Sequence, residues 1–310
     1  LSIIEKAGGR LAQTKSATLQ QAARTVAEAP AQLDLPAKIE APVQIDLPPK
    51  IEAAAPLDLP AKIVQPPKST SKRVELNLSK LQLEGMITPD GERSSVAEEF
   101  RAIKRSLIMN ALGGTGDSSR PGNLIMVTSA LPGEGKTFCS INLAISIAME
   151  LDHTVLLVDA DVARPSVLKR LGLTADAGLL DVLLDSKLDI GDVMLKTNVE
   201  TLSILPSGNR HRHSTELLAS QSMNKLLIEI ANRYKDRIVI FDSPPLLVTT
   251  ESRALATQMG QIVLVVEGEK TTQSSLKNAL RQIETCSNIS LIYNKAKALR
   301  GVESYGYYYE

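Results

Sequence analysis

The sequence predicts an α/β fold, a mainly parallel sheet flanked by helices, in about the last two-thirds of its 310 residues, behind a disordered Pro-rich extension. Three observations predict it. Short runs of Ile, Val and Leu recur from residue 124 onward with both faces apolar, as strands buried on both sides of a parallel sheet are. Longer helical stretches alternate with them, the pattern of repeated β–α units. No Phe, Tyr or Trp occurs before Phe100, so the first third lacks the large groups that anchor a core.

In chain order, residues 1–30 carry Ile3, Ile4, Ala7 and Leu11 at helical spacing, weakened by Gly8 and Gly9, and predict a short docking helix at best. Residues 31–93 read as a disordered linker. A 12-residue unit recurs there (LDLPAKIE from Leu33, IDLPPKIE from Ile45, LDLPAKIV from Leu57), and nine of the sixteen prolines precede Ser69. Proline lacks an amide donor and favours extended geometry, and so short a unit has too few apolar groups to stack as a solenoid. The folded domain is expected over 94–300. It opens with a helix whose apolar face is Val96, Phe100, Ile103, Leu107 and Leu112, started by Ser94 or Ser95 with Glu98 as a capping box. Strands follow at Leu124–Thr128, Val155–Val158, Leu202–Leu205, Ile238–Phe241, Ile262–Val266 and Ile289–Ile292, with helices at Phe138–Glu150, Thr215–Arg233 and Thr272–Thr285. Residues 301–310 form a separate tail.

A formal net charge of zero argues against nucleic acid as a partner. Cys139 and Cys286 have no metal-site or disulfide spacing and read as buried thiols in a reducing, cytoplasmic setting. No apolar run reaches the roughly 18 residues that cross a bilayer, and the start lacks a secretory apolar core. His211 and His213 read as a solvated loop.

The strand Leu124–Thr128 runs into Ala130-Leu-Pro-Gly-Glu-Gly-Lys-Thr137 and then a helix. This is the phosphate-loop pattern with Ala130 in place of its first glycine. Gly133 and Gly135 let the backbone wrap an anion, and the run Gly133, Glu134, Gly135, Lys136, Thr137 and Phe138 is the candidate ATP site. Lys136 suits the β- and γ-phosphates and the Thr137 hydroxyl suits Mg²⁺. Two further buried strands end in acids: Asp159, continuing to Asp161, and Asp242. Carboxylates at the C-terminal ends of parallel strands face the ligand crevice. Mg²⁺ prefers few carboxylates beside waters and phosphate oxygens. Asp242 therefore reads as holding a magnesium-bound water, and Asp159 and Asp161 divide metal binding from hydroxyl activation.

The run LPGEGKTFCSINLAISIAME, then TVLLVDADVARPSVLKRLGL, TELLAS and RIVIFDSPPLL, resembles the bacterial tyrosine kinases, and within them the exosortase-associated tyrosine autokinases of exopolysaccharide systems. The resemblance makes Ala130–Thr137 the Walker A motif, puts Asp159 and Asp161 in Walker A′ and makes Asp242 the Walker B acid. It implies ATP and Mg²⁺ as cofactors and Lys136, Asp159, Asp161 and Asp242 as catalytic residues, with Mg²⁺ on Thr137, Asp159 and Asp242. The family's arginine two residues after the second acid is Ala163 here, followed by Arg164. Asn294 sits where relatives contact adenine, although a turn-forming Asn fits the same position.

Four of the six tyrosines lie in the last six residues, at Tyr305, Tyr307, Tyr308 and Tyr309. By resemblance they are phosphoacceptors, modified between subunits. Glu98, Arg101 and Lys104 match the family's oligomer motif, with Arg105 able to substitute, and imply a ring-type homo-oligomer. Further implied partners are a membrane polysaccharide chain-length regulator, which recruits the chain to the inner face of the cell membrane, and a tyrosine phosphatase. Two rivals are weaker. Partitioning or septum-placement ATPases carry a lysine near the start of the loop, where Leu131 stands, and a nucleotide-sensing adaptor would not need all of Lys136, Asp159, Asp161 and Asp242.

Overall fold

The computed structural model describes residues 71–91, 94–113, 120–233 and 236–296. The repeat, the first thirty residues and the tyrosine tail lie outside these residues. In the described part eight strands form one sheet. They are β1 (Lys72–Arg73), β2 (Leu124–Ser129), β3 (Thr154–Asp159), β4 (Leu195–Lys196), β5 (Leu202–Leu205), β6 (Arg237–Asp242), β7 (Gln261–Glu267) and β8 (Ile289–Asn294), in the order β1-β4-β5-β3-β6-β2-β7-β8. From β5 to β8 all pairs are parallel, and only β4 with β5 runs antiparallel.

Side chains alternate faces along each central strand, and both faces are covered. Leu124, Met126, Leu156, Val158, Val239, Phe241, Ile262 and Leu264 enter one apolar cluster, and Ile125, Val127, Val155, Leu157, Ile238, Ile240, Val263 and Val265 enter the other. The first cluster is closed by α8 (Gln221–Arg233), α9 (Glu251–Ala256) and α10 (Gln273–Gln282), the second by α2 (Ser95–Leu112) and α3 (Lys136–Ala148). The helix α3 buries almost every side chain, because β2 and β3 lie beneath it and α2 lies over it. Short helices complete the chain: α1 (Leu78–Leu83), α4 (Val167–Leu171), α5 (Leu179–Leu184), α6 (Ile190–Val193) and α7 (Ser214–Leu218).

Three expectations are corrected. Residues 71–91 belong to the folded domain and not to the linker. β1 pairs with β4, Asn77 caps α1 by accepting from the Lys80 amide at 2.9 Å, and Leu76, Leu81, Met86 and Ile87 are buried in the second cluster. The single helix expected over Thr215–Arg233 breaks at Ser220, whose hydroxyl accepts from the Met223 amide at 3.2 Å and starts a new helix. Ser94 does cap α2, accepting from the Ala97 amide at 3.2 Å, but this leaves Glu98 one position too late for a capping box, and it pairs with Arg101 at 2.5 Å instead.

Candidate active site

β2 delivers the chain into the loop at the C-terminal edge of the sheet. There Gly133 and Gly135 adopt φ of 86° and 99°, backbone that glycine takes without cost. A Cβ at Gly135 would lie 2.0 Å from Asn294 Nδ2, so a larger residue there would also push the Asn294 side chain off the loop. Gly135 is the N-cap of α3, and the first helical bond runs from the Cys139 amide to the Gly135 carbonyl. The amides of Lys136, Thr137 and Phe138 are therefore the unpaired first turn, a ready anion site. The Phe138 ring packs on the apolar cluster beneath, so only its backbone faces that site.

Asp242 ends β6 beside β2 and is fully buried. Thr137 donates to Asp242 Oδ2 at 2.7 Å, and Ser140, one turn further along α3, donates to Oδ1 at 3.1 Å. Burial pushes the Asp242 carboxyl up to about 6, against the pull of the Lys136 charge and of the two hydroxyl donors. Asp159 ends β3 and pairs in register with Asp242. Its Oδ2 accepts from the Ser166 and Val167 amides, both at 3.0 Å, while Oδ1 is buried with no hydrogen-bond partner. Burial and the neighbouring Asp242 charge raise its carboxyl to about 7. Asp161 Oδ2 meets Lys136 Nζ at 2.8 Å, and its Oδ1 accepts from the Arg164 amide at 3.0 Å. The four expected catalytic residues thus converge.

A cavity of about 380 Å³ opens at this point. Lys136, Asp161, Ala163 and Arg164 line it together with Val248 and Thr249 from the segment after β6. Asp159 and Asp242 lie outside the lining, Asp242 in contact with Thr137. The hydrogen of the Thr137 hydroxyl is committed to Asp242, which leaves its lone pairs for Ser166, at 2.9 Å, or for a cation. With the orphaned Asp159 Oδ1 this makes a hard oxygen donor set that fits Mg²⁺ shared with phosphate oxygens.

The other candidates separate. Asn294 Nδ2 donates to the Glu134 carbonyl at 2.8 Å, so Asn294 does reach the loop. The Glu134 side chain turns away from the phosphate side, is buried, and accepts from the Leu131 amide at 2.7 Å and from the Thr271 hydroxyl. Glu98 and Arg101 sit on the outer side of α2. Lys104 does not join them. Its amine is buried and binds the Ser146 carbonyl at 2.7 Å and Glu150 at 2.6 Å, tying α2 to the end of α3, while Arg105 is exposed. Sequence reasoning missed Ser140, Ser166, Thr271 and Lys295. Of these only Ser140, three residues beyond Thr137 on one helix face, carried a periodic signal.

The profile of the AAA domain family matches residues 122–295. The tyrosine-protein kinase YwqD of Bacillus subtilis is 32% identical over 218 residues, which cover 70% of this chain and 87% of that protein. The putative tyrosine-protein kinase CapB of Staphylococcus aureus is 25% identical over 71% of this chain and 92% of its own length. Among solved structures, the VpsO kinase domain superposes with a TM-score of 0.55 at 27% identity, covering 66% of this chain and 95% of that domain. The kinase domain of the Escherichia coli tyrosine kinase ETK, at 22% identity and a TM-score of 0.55, shares the fold. With phosphate loop, paired strand-end acids and cavity all within this match, the chain belongs to the bacterial tyrosine-protein kinases and carries their AAA-type nucleotide-binding domain.

Proposed function

We propose that the chain is an ATP- and Mg²⁺-dependent protein tyrosine autokinase whose acceptors are Tyr305, Tyr307, Tyr308 and Tyr309 of a neighbouring copy. One observation carries the reading: Lys136 of the phosphate loop and Asp161 of the loop after β3 share one cavity and are in contact. The loop amides and Lys136 hold the triphosphate. Thr137, Asp159 and Asp242 hold Mg²⁺, which when bound supplies neutralising charge at the terminal phosphates. Lys136 and Asp161 neutralise each other across 2.8 Å. A triphosphate takes over the Lys136 charge and leaves Asp161 Oδ2 open toward the cavity. The tyrosine oxygen then attacks the γ-phosphorus, the bond to the ADP oxygen breaks, and the phenol proton passes to Asp161. A free phenol has a pKa near 10, so this acceptor is needed at neutral pH. Arg164, on the cavity wall, offers positive charge to the phosphoryl group in transit.

Around this reaction we place a ring-type homo-oligomer built on Glu98, Arg101 and Arg105, a membrane polysaccharide chain-length regulator, a tyrosine phosphatase and a role in exopolysaccharide synthesis. Recruitment through such a regulator fits the described residues, where no helix is long and apolar enough to cross a membrane. The test of the reaction is Asp161→Asn, with ATP affinity and phosphotyrosine measured together. Retained affinity with phosphotyrosine reduced about 100-fold or more, the low end for a lost general base, is expected. Undiminished transfer would overturn the assignment.

A further inference from the structure

We infer that Lys295 is a positioning residue for nucleotide binding, holding the phosphate loop with its amides turned inward; this rests on the nucleotide reading of the loop and deepens it. Lys295 Nζ donates to the Gly133 carbonyl at 2.7 Å, and Asn294 Nδ2 donates to the next carbonyl, that of Glu134, at 2.8 Å. In a trans peptide the C=O and the following N–H point in opposite directions. A Gly133 carbonyl held outward therefore aims the Glu134 amide inward, and a Glu134 carbonyl held outward does the same for the Gly135 amide. Among the described residues neither amide has a hydrogen-bond partner, so both are open to an anion. Two neighbouring residues at the end of β8 thus set the direction of two consecutive donors.

The surroundings anchor the clamp. Lys295 Nζ also lies 3.4 Å from Glu267 Oε1, and Lys270 pairs with the other Glu267 oxygen at 3.3 Å. The Glu267 amide donates to Thr271 Oγ1 at 3.0 Å, and the Thr271 hydroxyl donates onward to the buried Glu134 carboxylate. The loop is thereby tied to the β7–α10 turn from one side and to the end of β8 from the other. The backbone records the cost. Lys295 and Glu269, at φ of 55° and 60°, are the non-glycine residues with positive φ among the described residues, and both belong to this brace. Such conformations persist where the surrounding structure over-determines them, and they concentrate at functional sites.

A residue that only orients the loop affects binding of the triphosphate and not the transfer step. Lys295→Met and Lys295→Arg are compared with the parent chain, all over residues 1–310. Four quantities are measured: the Kd for ATP by calorimetry, the KM and the kcat of autophosphorylation against Mg·ATP, and amide exchange in the loop without nucleotide. In Lys295→Met, Kd and KM should rise about five- to tenfold, the scale of one charge-assisted hydrogen bond at a half-exposed site. The kcat should stay within about twofold, the Glu134 and Gly135 amides should exchange faster, and Lys295→Arg should restore most of the affinity. Unchanged Kd in Lys295→Met overturns the inference, as does a fall in kcat at constant KM. Weakened ATP binding in a chain that makes no phosphotyrosine at all would keep the clamp and discard the kinase reading.

Discussion

The acids at the ends of β3 and β6 are costly to keep charged, and this predicts an unusual pH dependence of stability. Asp159 has its carboxyl raised from an ordinary 3.8 to about 7 by burial and by Asp242. A folded state that binds a proton more tightly than the unfolded chain gains stability at low pH. That gain is complete below about 4 and is lost as pH rises through about 7. A rise of about 3 at about 1.4 kcal/mol each sets a ceiling of roughly 4 kcal/mol, and about half of that is expected once water and side chains relax around the site. For a domain of this size 2 kcal/mol corresponds to about 4–8 °C in Tm. The assay is the Tm of the parent and of Asp159→Asn, without Mg²⁺ or nucleotide, between pH 5.5 and 8. Asn keeps an oxygen for the Ser166 and Val167 amides and removes the titration, so the gap should shift in favour of the variant as pH rises. Its unpaired amide adds only a constant offset. A gap that does not change with pH would refute the burial argument.

Four other outcomes follow from the same contacts. Removing residues 1–70 should leave Tm unchanged, whereas removing 1–91 should lower it by about ten degrees or more, because Leu76, Leu81, Met86 and Ile87 each contribute about 1.5–3 kcal/mol of burial. Lys104→Met should cost about 1–3 kcal/mol in chemical denaturation by leaving the Ser146 carbonyl and Glu150 without their donor. Light scattering should then show its oligomer intact and that of Arg101→Ala weakened, and the reverse order would restore Lys104 to the subunit contact. Neither thiol should react with a maleimide in the folded protein, since burial raises Cys139 to about 12 and shifts Cys286 upward as well. Mixing Lys136→Met chains that keep their tails with active chains lacking 301–310 should place phosphate on the inactive partner; an unmodified partner would exclude transfer between subunits.

Much of this was legible in the sequence because each signal was local. The six longer strands fall within a residue or two of their apolar runs, since five of them are buried on both faces and leave little else for their residues to be; β8, at the sheet edge, is apolar in sequence yet exposes Leu291 and Tyr293. The phosphate loop was legible because two glycines, a lysine and a threonine sit between a strand and a helix. What escaped depends on contacts across the chain. β1 and β4 are two residues each and exist only by pairing with each other and with β5. Lys104 looks like one more surface charge on an amphipathic helix until the end of α3 is seen to need a donor. Lys295 is about 160 residues from the carbonyl it holds, a separation with no periodicity to detect.

In the proposed reaction the site around Lys136 and Asp161 passes the γ-phosphoryl group of ATP to tyrosine. Intact-mass measurement of the purified full chain with Mg²⁺ and ATP, with peptide mapping of residues 301–310, tests it most directly. Phosphate is expected on Tyr305, Tyr307, Tyr308 and Tyr309 in the parent chain and none in Lys136→Met. Release of phosphate to solvent with an unmodified tail, or an equally modified tail in Lys136→Met, would contradict it.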